Sequence, residues 1–295
     1  MKNELMKTLS RDEYSALTQR TNIHGLVRLA LHLSAMSMAG FMAYYASGGA
    51  YLCWALIFGI LGVFLFTPMH EASHLTAFRT RWLNHAVTHF VGLLLVLPPR
   101  WFTHFHMAHH QHTQDPTLDP ELASPKPTSW PSYLWALTGL PVWYSQLSAL
   151  IRNSAGRNQD DFIPANQRPA IAAESRIMMV IYLAAMAASV AFSSTILIKY
   201  WVIPALLGQP FLRMYLLAEH GGCALTPNML ANSRTTLTNW FIRMLAWNMP
   251  YHAEHHSLPS VPFHQLPRLH AKTAPLITHL DDGYPSVHRG FVKDF

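Results

Sequence analysis

The sequence predicts an all-α integral membrane protein: about four transmembrane helices under a helical, histidine-rich cap that carries a di-metal site. Three observations predict it. Hydrophobic residues make up 51% of the 295-residue chain and charged residues only 12%, about half the charge of an ordinary soluble globule. Four apolar runs are each long enough to cross a hydrocarbon core, which takes roughly 20 helical residues. Finally, 19 histidines nearly match the 21 lysines and arginines, and many fall in short clusters just beyond those runs.

The elements follow in order. Residues 1–20 are polar and mixed in charge and show no apolar core or cleavage pattern, so 1–24 reads as a cytosolic lead-in with no signal peptide. The first span covers about 29–46 and the second 50–68; Ser47-Gly48-Gly49 between them makes a tight hairpin, 25–68. The third span, 177–198, carries no charge, and the fourth, 200–218, has only Arg213 near its end. Segment 86–98 is too short to cross and reads as a re-entrant or interfacial hairpin. Segment 132–151 is interrupted by Pro141 and rich in Trp and Tyr, which places it at the interface, with a fifth span as the alternative. The chain therefore reads as one domain, 1–295: two helix hairpins, 25–68 and 177–218, a loop 69–176 and a tail 219–295 that wraps over one face. The two short connections on the far side hold a single basic residue, Lys199. The positive-inside bias then puts both termini, the loop and the tail in the cytosol.

Composition excludes several classes. The low charge leaves no basic arm for nucleic acid, and Cys53 and Cys223 are too few for a disulfide framework or a four-thiolate metal site.

Three histidine clusters carry the chemistry: His70-Glu71-Ala72-Ser73-His74, then His106-Met107-Ala108-His109-His110, then His252-Ala253-Glu254-His255-His256. On a helix, positions i, i+3 and i+4 share a face, so each cluster aims its imidazoles at one point. With this histidine content, random placement gives HxxxH about once and HxxHH about 0.08 times. The first cluster alone is therefore weak, and His85 and His89 form a competing HxxxH pair; the two HxxHH clusters are the informative ones. Imidazoles packed together repel when protonated and lose hydration when buried, and a bound metal removes both costs. Eight imidazoles exceed one tetrahedral zinc and suit two metals of the Zn, Cu, Fe or Ni type. His220, at the end of the fourth span, is the ninth candidate.

HxxxH, HxxHH and HxxHH, in this order and separated by paired spans, resemble the membrane fatty acid desaturase and hydroxylase superfamily over roughly residues 20–270, and the text around the second and third boxes is similar to bacterial fatty acid desaturases. The resemblance implies a non-haem di-iron centre with His70, His74, His106, His109, His110, His252, His255 and His256 as ligands, O2 as oxidant and electrons from outside. A ninth histidine before the third box, as in several relatives, favours His220. Some relatives place a metal-facing asparagine four residues earlier; here that position is Leu216, and Asn248 is the substitute considered. The location implied is a bacterial inner membrane, with the site facing the cytosol.

Ligand histidines usually donate their second N–H to a carboxylate or carbonyl. Glu71, Asp115, Asp119, Glu219 and Glu254 lie in or beside the boxes, a concentration notable in a chain with 15 acids. Asp119 and Glu121 also have an ordinary reading as turn formers around proline. His104 and His112 read as supporting or surface groups, and His24, His264, His270, His279 and His288 as solvated. Arg243 and Arg268 suit an anionic head group or plain membrane-surface charge.

Other functions stay open at this level. His70-Glu71-Ala72-Ser73-His74 also fits the zinc-binding helix of metalloproteases, with Glu71 as general base, but that leaves both HxxHH boxes unexplained. A metal transporter would place its ligands at the bilayer midplane, whereas these lie beyond the spans. Within the resemblance, the substrate is a fatty acyl chain or similar membrane lipid undergoing desaturation. Hydroxylation, carotenoid ketolation or hydroxylation, and alkene-forming decarboxylation use the same boxes. No Cys-x-x-Cys pair, fused haem motif or dinucleotide fingerprint is present, so a separate ferredoxin, rubredoxin or cytochrome b5 with its reductase is expected as electron donor.

Overall fold

The computed structural model describes Leu5, residues 7–293 and Phe295; the remainder of the expected lead-in, residues 1–4 and 6, lies outside the described residues. Helix α1, Arg11–Leu17, opens with a reciprocal cap between Ser10 and Glu13, which satisfies two amide donors at its start. Among the described residues, four helices are long and apolar enough to cross a membrane. The first is α2, Ile23–Tyr45, and the second is the continuous stretch Gly48–Ser73, built from α3, Gly48–Phe64, and α4, Phe66–Ser73. The third contains α9, Arg168–Ala191, and the fourth, Ile198–His220, begins with one wide turn at Ile198–Val202 and continues as α10, Ile203–His220.

Only 17–33% of each span is buried inside the protein, and residues such as Val190 and Phe192 stand more than four-fifths exposed. In water such surface would be costly; against lipid it is the expected outer face. The second and fourth spans touch backbone to backbone. A Cβ at Gly59 would lie 1.9 Å from the Pro204 carbonyl oxygen, and one at Gly208 would lie 2.4 Å from the Gly59 oxygen. Small residues are what permit helices to pack this closely where lipid tails are as apolar as the side chains themselves.

The third span differs from the sequence expectation of 177–198. It starts at Arg168 and ends at Ala191, where Ser193 takes a left-handed conformation (φ 47°). Charges at its start had made it look shorter. Two of those charges are partnered: Glu174 accepts from the Arg100 backbone and pairs with His89, and Arg176 donates to the Ser154 carbonyl. Ile198 consequently belongs to the fourth span.

Between the second and third spans lie α5, Arg81–Leu94, and α6, Pro99–His112, bent by 104° at the break. Val96 (φ 58°) and Pro98-Pro99 make the corner, so 86–98 is the inner half of a helix–corner–helix unit, either a re-entrant loop or a broken fifth span. Segment 132–151 is likewise two helices, α7, Trp130–Leu137, and α8, Leu140–Ser154. They break at Gly139, whose φ of 73° and contact with Gln209 leave no room for a side chain. At about 1.5 Å per residue neither reaches the roughly 30 Å needed to cross.

The tail is irregular: α11, Met229–Asn232; β1, Arg234–Leu237; α12, Trp240–Leu245; α13, His252–Ser257; α14, Leu266–Thr273; β2, His279–Asp282; and α15, Tyr284–Val292. The parallel pairing of β1 with β2 is a small addition to an otherwise helical fold. Trp247, Met249, Val261, Phe263, Leu266 and Leu269 are buried to 1% exposure or less and pack with Met69 and Phe102 from the box-bearing helices and with Phe78 from the connection between α4 and α5. The well-packed core thus sits at one end of the bundle, where the second and fourth spans terminate.

Candidate metal centre

Helix α4 ends the second span with His70 in its last turn and His74 directly after it. Helix α6, redirected by the 104° corner, carries His106, His109 and His110. His220 is the last residue of α10, and α13 supplies His252, His255 and His256. These four stretches converge. The possible ligand atoms of His70, His74, His106, His110 and His255 all lie within 4.8 Å of one another, as do those of His109, His220 and His256. His252 joins the second group, its Nε2 2.9 Å from His220 Nε2. The structure therefore brings together all nine candidate histidines, sorted into two groups.

The nitrogens face each other. Nε2–Nε2 separations are 2.8 Å for His74–His106, 3.1 Å for His110–His106 and 3.1 Å for His109–His220. Both ring nitrogens of His255, Nε2 of His256 and Nδ1 of His70 and His110 are buried with no protein hydrogen-bond partner. Unpartnered buried polar atoms cost about 1–3 kcal/mol each, so this many in one place calls for a missing partner. Burial pushes the His252, His255 and His256 imidazoles far below their usual range, and His74 down to about 3. They are neutral at pH 7, the form that binds metal. The donor set therefore fits two metals of the kind that accept imidazole.

Three members of the second group are oriented. His109 Nδ1 lies 2.9 Å from Asp119 Oδ1, His220 Nδ1 3.1 Å from the Asn232 carbonyl and His256 Nδ1 3.1 Å from Thr113 Oγ1. An oxygen beside each of these Nδ1 atoms fixes it as the N–H donor and leaves Nε2 free. His252 Nδ1 lies 3.2 Å from Glu219 Oε1 but makes no hydrogen bond. Asp119 is itself anchored by the Gln114 amide, and Gln114 Nε2 donates to the His220 carbonyl.

The other candidate acids act elsewhere. Glu71 Oε1 accepts from the Phe263 amide, which ties the first box to the tail rather than to an imidazole. Glu254 is held by Thr235 and His270 and braces α13 against β1 and α14. Asp115 is partly exposed and accepts from Thr117 and Leu118 in its own turn. The Asn248 amide donates to the Phe263 carbonyl, so it supports the loop before α13. Arg243 donates to the Tyr251 hydroxyl and Arg268 to Gln265.

Several histidines read as solvated are partnered. His270 contacts Glu254, His288 joins the Tyr133 hydroxyl and the Met214 carbonyl, and His24 stacks on His264 at 4.2 Å. His89 pairs with Glu174, and neither it nor His85 belongs to either group. Sequence reasoning passed over Thr113, Asn232 and the contact of Glu121 with His109. A threonine four residues after His109 was visible as a same-face neighbour; the other two depend on tertiary folding.

A comparison with curated proteins finds no significant match. The sequence pattern that describes the fatty acid desaturase family matches residues 14–287, nearly the whole chain and every box. With spans, boxes and two imidazole groups in that order, the chain belongs to the fatty acid desaturase family.

Proposed function

We propose that the protein is an O2-dependent di-iron oxidase that introduces a double bond into a fatty acyl chain or similar membrane lipid. The observation that carries this reading is the pair of buried imidazole groups, five histidines in one and three in the other with His252 beside them. A single-metal hydrolase has no use for the second group. The protease reading is further weakened because Glu71, its required general base, is turned to the Phe263 amide.

Iron bound here would supply the redox chemistry that cleaves an unactivated C–H bond, which no acid–base side chain can do. His70, His74, His106, His110 and His255 would hold one metal; His109, His220, His252 and His256 the other. The chain contributes neutrality, orientation and dryness. Burial keeps the imidazoles of α13 unprotonated, while Asp119, Asn232 and Thr113 set which ring nitrogen of His109, His220 and His256 faces inward. The surrounding core, with Met69, Phe102 and Trp247, excludes water from the imidazoles. The apolar spans give a lipid chain access from the bilayer. Scarce basic residues in the far-side connections support a cytosolic location for the site and termini, and electrons come from a separate carrier.

The test is elemental analysis and lipid profiling of the purified protein and its His255→Ala form. About two irons per chain, falling in the variant together with loss of unsaturated product in cells, is the expected result. One zinc per chain, unchanged in the variant, would overturn the reading; a hydroxylated product with two irons would replace desaturation by hydroxylation.

A further inference from the structure

One carboxylate outside the nine histidines reaches their inward nitrogens. Glu121 lies in the short turn Pro120–Ala123, which Asp119 caps. Asp119 Oδ1 faces His109 Nδ1 at 2.9 Å and also accepts from the Glu121 backbone amide at 2.9 Å. A single oxygen thus sets both the His109 ring and the base of Glu121. From that base, Glu121 Oε2 comes to 3.2 Å from His109 Nε2. Since Nδ1 is held by Asp119, Nε2 is the atom available to a metal. His220 Nε2 lies 3.1 Å from it, and His252 Nε2 lies 2.9 Å further on. An anionic oxygen therefore stands at the edge of the ring nitrogens of the second group.

A further observation points the same way. The first group contains five imidazoles, while the second has His109, His220 and His256 with His252 beside them, one donor fewer.

Building on the di-iron reading, we propose that Glu121 is a ligand of the metal held by His109, His220, His252 and His256. The two metals are then unequal, one bound by imidazole alone and the other by imidazole with one anionic oxygen. A carboxylate is a harder and more charged donor than imidazole, and it favours the more oxidised state of its metal over the reduced one. Its side chain is 40% exposed whereas the His109 side chain is 4% exposed, so Glu121 is the donor on the solvent side of the pair.

The experiment loads the full-length protein anaerobically with 57Fe(II) in detergent and records iron content and Mössbauer spectra. It compares the wild type with Glu121→Gln, Glu121→Ala and the same-loop control Asp115→Ala. The expected wild-type result is about two irons in two ferrous doublets of similar area. Glu121→Gln alters one doublet, Glu121→Ala alters or loses that same doublet and its iron, and Asp115→Ala changes nothing. Two irons with both doublets unchanged in Glu121→Ala would overturn the ligand assignment and leave the di-iron reading standing. A wild type that cannot hold two irons would defeat the di-iron reading, and the assignment with it.

Discussion

Replacing Asp119 by asparagine removes one charge and almost no volume at a position 5% exposed. Asp119 accepts at both oxygens: Oδ1 faces His109 Nδ1 and receives the Glu121 amide, and Oδ2 receives the Gln114 amide. An asparagine has one acceptor and one donor end. Whichever way it is turned, an N–H faces another N–H, which costs about 1–3 kcal/mol. The His109 ring also loses the anion that makes Nε2 a better donor. Outer partners of ligand histidines typically contribute 10–100-fold to metal affinity, or about 1.4–2.8 kcal/mol at 1.4 kcal/mol per factor of ten. The expected loss is therefore confined to the second group, whose nitrogens Asp119 orients. Competition with a graded series of iron chelators reads this directly: the variant should release one iron about 10–100-fold more readily and the other unchanged. Equal weakening of both sites, or no weakening, would refute the argument that Asp119 acts through His109.

Other expectations follow from the same geometry. His109→Ala and His255→Ala remove one imidazole from each group, and both should abolish turnover and lower bound iron. His85→Ala touches neither group and should retain activity; complete loss with normal folding would show that the first HxxxH pair is not sufficient. Gly208→Leu places a branched side chain where even a Cβ would meet the Gly59 backbone at 2.4 Å. Overpacking costs of about 1–3 kcal/mol should then lower the thermal midpoint in detergent, and an unchanged midpoint would contradict the close crossing. Finally, chelator-stripped protein should lose stability as pH falls from 7.5 to 5.5. The unfolded chain takes up protons near 6.5 that folded His74, held down to about 3, and His252, His255 and His256 refuse. A midpoint that rises on acidification would contradict their burial.

Sequence and structure agree where the signal is local. Long uncharged runs and the i, i+3, i+4 spacing of HxxHH state their own geometry, so the four spans and the faces of α6 and α13 were legible. Boundaries set by distant partners were not. Glu174 and Arg176 look like the end of a membrane span until the groups that neutralise them, His89, Arg100 and Ser154, are in place. The same holds for the support of the site. Asp119 was readable as an acid near a box, but Asn232 supplies a backbone carbonyl, and every residue offers one whatever its side chain. Asp115 and Asn248 show the converse: residue type and proximity in sequence nominated them, and backbone turns claimed their polar atoms instead.

The nine imidazoles are divided between the two halves of the chain, with five at 70–110 and four at 220–256. Neither half can assemble either group completely, because His255 completes the first and His109 belongs to the second. On the proposed di-iron reading, metal loading therefore follows insertion of both hairpins into the bilayer and docking of the tail, a late step of biogenesis. An immature chain would display nitrogen donors without a finished cage, exposed to whichever transition metal the cell supplies in excess. Cells that make this protein under iron limitation should thus accumulate an inserted, mismetallated population before they accumulate an unfolded one.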